Sequence, residues 1–161
     1  MKRSIVSTGL ALALALGAAL PVSAAERRPF SGELTGVGIA AEQRCGPDAL
    51  TLGHQVTGVA THLGHFTGTG TNCTEFTLAT EAVAIWDGLV TVTAADGSTL
   101  TLSLEGSQSA PVAGVASYSH TDTVIAGTGR FADASGVLVL TGTIDFNTFA
   151  ITGTVSGWLS Y

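Results

Sequence analysis

The chain has 161 residues, with six Lys and Arg against twelve Asp and Glu, 11% charged and 45% hydrophobic side chains, 21 Gly and two Cys. That length fits one domain. The apolar content excludes disorder, and no internal run approaches the roughly 18 apolar residues of a membrane helix, which excludes a polytopic membrane protein.

Met1-Lys2-Arg3 is a short positive start, Leu10 to Leu20 an apolar stretch, and Val22-Ser23-Ala24 a small-residue cleavage site. This is the order of a secretory signal peptide, and Pro21 breaks the apolar stretch before it is long enough to anchor. Residues 1–24 are therefore expected to be a signal peptide and residues 25–161 a single β-barrel domain, secreted or periplasmic. Once Lys2 and Arg3 leave, only Arg27, Arg28, Arg44 and Arg130 face the twelve carboxylates, and no lysine remains. A surface for nucleic acid or anionic lipid needs clustered cations, so neither partner is expected.

After residues 26–29, alternation dominates, with Gly, Asp and Asn punctuating runs of Thr, Val, Leu and Ile. Strands are predicted at Phe30 to Ala40, Leu52 to Leu63, His65 to Thr71, Glu75 to Ile85, Leu89 to Ala94, Thr99 to Glu105, Gly114 to Ile125, Val137 to Asp145 and Thr148 to Leu159. Asp96-Gly97 is the strongest hairpin signal, because both residues tolerate positive φ, and Asp145 to Thr148 is a second turn. With no helix to cover an open sheet, eight or nine strands favour a closed antiparallel barrel, which leaves no edge to aggregate. The segments Gly64-His65-Phe66 and Gly129-Arg130-Phe131 share a G-[HR]-F core, read either as a faint duplication or as a recurring turn.

Cys45 and Cys73, in a chain bound for an oxidising compartment, are expected to form a disulfide, the alternative being two buried free thiols. Neither Cys has a C-x-x-C or H-x-x-x-H companion, so no structural zinc and no cofactor is expected. His54, His62 and His120 would converge on a metal only if their strands were neighbours, and His62 and His65 have opposite parity. No G-x-S-x-G elbow supports a Ser-His-Asp hydrolase. Asn72-Cys73-Thr74 matches the glycosylation pattern only formally. The last strand, with Ile151, Val155, Leu159 and Tyr161 at alternate positions, resembles that of an outer-membrane barrel, but Thr and Ser stand where a lipid-facing band would need Leu, so no membrane insertion is expected.

Parity assigns the faces of each strand. Leu100, Leu102 and Leu104 go inward, as do Phe149, Ile151, Val155 and Leu159, with Thr152, Thr154 and Ser156 outside. On the strand from Gly114 to Ile125, Ser117, Ser119, Thr121 and Thr123 go out, which sends Tyr118, His120 and Asp122 in. On Leu52 to Leu63, the inward set is His54, Val56, Gly58, Ala60 and His62. The opposite assignment stays open for both of these strands, because Val115 and Ile125 share parity with the outward hydroxyls.

From Ala126 to Gly136 the chain runs Ala-Gly-Thr-Gly-Arg-Phe-Ala-Asp-Ala-Ser-Gly. This resembles the G-G-T-G-x-F-x-x-A-x-G segment of plant dirigent proteins, with Ala126 in place of the first Gly, and more loosely that of allene oxide cyclases. Thr61 to Gly64 is similar to a Thr-His-Leu-Gly segment of secreted bacterial barrels of the same group. The resemblance implies a calycin-like, eight-stranded antiparallel barrel with a central cavity. It carries fold residues: Gly127 and Gly129 for a tight turn, Phe131 to plug the barrel end, and Gly136 for close backbone approach. The acidic and hydrogen-bonding groups that serve chemistry in those families have no matching positions here.

The expected function is binding of a small, largely apolar molecule in the lumen by Tyr118, His120, Asp122, His62 and Leu102. A second reading is a cyclase or isomerase, with Asp122 and His120 moving a proton and Tyr118 orienting the substrate. A third is a structural surface protein with a filled barrel, in which Tyr118, His120 and Asp122 form a satisfied polar network.

Overall fold

The computed structural model describes residues 26–75 and 82–161. The proposed signal segment, and residues 76–81 of the strand predicted at Glu75 to Ile85, lie outside the described residues. Eight strands follow in order: β1 Arg28–Ala40, β2 Ala49–Ala60, β3 Gly64–Glu75, β4 Val83–Ala94, β5 Thr99–Gln108, β6 Val115–Gly127, β7 Ser135–Asp145 and β8 Ala150–Ser160. Each pairs antiparallel with its sequence neighbours, and β8 pairs with β1 to close the barrel. Among the described residues the only helical element is a 3-10 turn, Gly129–Phe131. The all-β class and the eight-stranded closed barrel are as expected from the alternating pattern.

The fourth and fifth predicted strands, Glu75 to Ile85 and Leu89 to Ala94, merge because Val83 to Ile85 belong to the strand that continues to Ala94. A bulge between Ile85 and Gly88, with Asp87 at φ 47°, interrupts the pairing without ending the strand. A second bulge shifts the β5–β6 register between Thr101 and Leu102 and turns Ile125 outward, where it is 55% exposed. That bulge explains why Ile125 shares parity with the hydroxyl face although it is apolar. The inward parity of Tyr118, His120 and Asp122 is the one observed, with Ser117, Ser119, Thr121 and Thr123 exposed.

The core packs at one end of the barrel. Phe131, Leu159 and Leu100 are almost wholly buried there, and Phe30, Leu63 and Phe66 join them. Each such side chain contributes roughly 1.5 to 3 kcal/mol on burial. The two G-[HR]-F segments play parallel parts: Gly64 and Gly129 take φ of 67° and 60°, and Phe66 and Phe131 enter the core two residues later. Only glycine enters that left-handed region without a Cβ penalty. Arg130 clasps this plugged end. Its guanidinium meets Asp96 Oδ2 at 2.9 Å, donates to the His62 carbonyl at 2.6 Å and lies over the Phe131 ring, tying three turns together.

Cys45 and Cys73 are disulfide-bonded, joining the β1–β2 loop to β3. Arg44 reinforces the junction by pairing with the Asp87 carboxylate and donating to Thr71 Oγ1 at 3.2 Å.

Candidate functional site

Opposite the plugged end, the barrel wall encloses a cavity of about 140 Å³. Its lower wall is aliphatic, from Val90, Val92, Leu100, Leu102, Leu138 and Val155. Two-residue alternation on β6 projects three polar side chains into this space in a descending row: Tyr118 nearest the loop end, then His120, then Asp122. Leu104 and Leu138 pair with Asp122 across the two adjoining strands, so the carboxylate is set into an apolar wall.

His120 and Asp122 are 8% and 5% exposed. Their separation along the strand lets the imidazole fold down onto the carboxylate, and His120 Nδ1 donates to Asp122 Oδ1 at 2.6 Å. That bond fixes the ring and leaves Nε2 as its other polar atom. Tyr118 stacks on the imidazole with ring centroids 5.4 Å apart and planes 16° from parallel. Its hydroxyl donates to the Thr152 carbonyl at 3.0 Å, and Gly142 and Gly153 make the niche: a Cβ on either would come within 2.7 Å of the phenol oxygen. Burial, and then the negative charge of Asp122, push the Tyr118 phenol up to about 12. Tyr118 is thus a protonated hydrogen-bond donor throughout the physiological range.

His54 enters the same space from β2. Burial, and then the positive charge of His120, lower its imidazole to about 4, so it is neutral at pH 7. Asn72 on β3 and Gln108 on β5 complete the polar lining, and Phe149, Ile39 and Ile144 stand at its loop end.

Of the five residues predicted to bind a ligand, Tyr118, His120, Asp122 and Leu102 line the cavity. His62 does not. β2 ends at Ala60, so the parity argument lapses; His62 takes φ 68° in the turn, its Nε2 lies 3.0 Å from the Pro29 carbonyl oxygen, and its ring meets the edge of Tyr161 at the plugged end. The supposed convergence of His54, His62 and His120 fails for the same reason. Among the described residues no group of three or more His, Cys, Asp or Glu is placed to hold a metal ion. Phe149 is likewise not an inward strand residue: it sits at φ 59° in the β7–β8 turn, 47% exposed, with one side toward the cavity.

Sequence reasoning named His54 as inward without counting it in the site. It missed Asn72 and Gln108 because the predicted strands stopped at Thr71 and Glu105, one and three residues short of them. Extending each alternation by two steps would have found both.

No family model, no curated protein and no solved structure matches the chain.

Proposed function

We propose that this protein is exported and holds a small, largely apolar molecule in the barrel lumen. The observation that carries this reading is the cavity itself: a mainly apolar chamber with a few polar groups, the usual character of a small-molecule site. The disulfide and the signal-like start of the chain support export. About 140 Å³ of unfilled space counts against a purely structural, filled barrel. Native mass spectrometry of protein purified from its own host, followed by organic extraction, tests the reading. A bound compound of low mass is expected, released on unfolding; a lumen consistently free of any such compound, in protein that also takes up none added in solution, overturns it.

One observation favours a second reading, proton-transfer catalysis of the isomerase or cyclase type. A carboxylate-oriented imidazole beside a stacked phenol is a competent acid–base arrangement, with His120 Nε2 to take or give the proton and Tyr118 to orient the substrate. Turnover of the extracted compound separates catalysis from binding.

A further inference from the structure

The reading of the lumen as a binding site leaves the chemistry of its occupant open, and the lining constrains that chemistry in size and in charge. Size comes first. A cavity of about 140 Å³ is well below the roughly 300 to 1,000 Å³ of drug-sized pockets, and close to the roughly 150 Å³ of engineered apolar cavities that take up benzene. A single ring with a few substituent atoms fits; a long acyl chain does not.

Charge comes second. Among the described residues no Arg or Lys lines the chamber. Arg44 is held by Asp87 and Thr71, and Arg130 is spent on Asp96 and the His62 carbonyl at the plugged end. Arg27 and Arg28 lie over Trp158 and Tyr161. Among the described residues the only carboxylate lining the chamber, Asp122, is already bonded to His120, and His54 carries no positive charge at pH 7. An incoming anion would lose its water, meet the field of Asp122 and find no unpaired cation to replace that water, since the His120 imidazole is already bonded to the Asp122 carboxylate. One uncharged polar group, in contrast, finds His120 Nε2, the His54 imidazole and the amides of Asn72 and Gln108 within a mainly apolar wall.

We infer that the lumen selects an uncharged single-ring compound bearing one hydrogen-bonding group, and rejects carboxylates of the same size and shape. The inference rests on the binding reading above. The test is calorimetric titration of the purified full chain at pH 7 with three probes of matched bulk: toluene, cyclohexanol and cyclohexanecarboxylate. Cyclohexanol is expected to bind about fivefold more tightly than toluene, the worth of one net hydrogen bond. It is expected to bind at least about 100-fold more tightly than the carboxylate, because the anion is buried without a partner. In Asp122→Asn the gap between alcohol and carboxylate should narrow by about tenfold as the like charge goes. Carboxylate binding within about tenfold of the alcohol, or a gap unmoved in Asp122→Asn, overturns the inference while leaving apolar binding intact. Failure of all three probes overturns the binding reading itself and the inference with it.

Discussion

His120 and Asp122 lie two residues apart on one face of β6, both buried, with imidazole Nδ1 2.6 Å from carboxylate Oδ1. Each satisfies the other, so the pair needs no further protein partner on the bonded side. Removing one alone strands a buried polar group, at a cost of about 1 to 3 kcal/mol. Removing both should not. The double variant His120→Ala, Asp122→Ala enlarges a space that is already open, and we expect its Tm unchanged or raised while retention of the lumen compound falls, as is usual where polar groups are kept for function at a cost to stability. Calorimetric melting alongside ligand extraction checks this. A clear loss of stability with full retention would return Tyr118, His120 and Asp122 to a structural network.

The barrel wall itself is tested by a pair of changes. Leu102 is 4% exposed and inward, whereas Thr91 is outward and exposed. Leu102→Asp places an unpaired carboxylate in the aliphatic wall and should cost more than about 4 kcal/mol, enough to prevent folding; Thr91→Asp should stay within about 0.5 kcal/mol. Circular dichroism and urea titration of the two variants are sufficient. Equal effects would contradict the face assignment, and the opposite order would mean that the faces are reversed.

Reduction should cost the protein a defined amount. The Cys45–Cys73 bond spans 28 residues of sequence. On the chain-entropy model a loop of that length contributes about 3.5 kcal/mol. We expect the Cys45→Ser, Cys73→Ser double variant to lose about that much in urea unfolding, and thiol titration of the unfolded, unreduced protein to find no free thiol. Two titratable thiols would contradict the bond.

The lowered pKa of His54 carries a pH signature. Its imidazole titrates near 4 in the folded protein and near its ordinary value of 6.5 when unfolded. Between those values the unfolded chain binds the extra proton, so this residue's contribution is fully present above pH 6.5 and is lost as the pH falls toward 4, by roughly 3 kcal/mol in all. In His54→Leu the fall of stability between pH 6.5 and 4 should be shallower by up to about 1.4 kcal/mol per pH unit. Parallel stability curves for the two proteins across that range would disprove a half-buried, neutral imidazole.

Much of this architecture is legible in the residues. Thr-x-Thr and Leu-x-Leu alternation, as in Thr99 to Leu104, states both that a strand exists and which side faces the core, because β pairing has a period of two. The row of Tyr118, His120 and Asp122 follows from that arithmetic alone. What alternation cannot report is where it stops. His62 continues the inward parity of β2 on paper, yet the chain turns at Thr61, and the turn depends on long-range partners: the Ser31 carbonyl accepting from the Thr61 amide and Arg130 reaching the His62 carbonyl from residues far along the chain. The bulge at Ile125 and the burial that lowers His54 are equally products of tertiary packing.

The pairing of Arg28 with Leu159 has a practical consequence. An even number of strands running alternately up and down brings the first strand in and the last strand out at the same rim, and here that rim is the plugged one. A tag, linker or solid support joined beyond either β1 or β8 therefore attaches on the side away from Phe149 and the chamber. An immobilised or fused form of this barrel would present its chamber outward whichever terminus is chosen, which suits it to use as a carrier or a sensor without redesign of the scaffold.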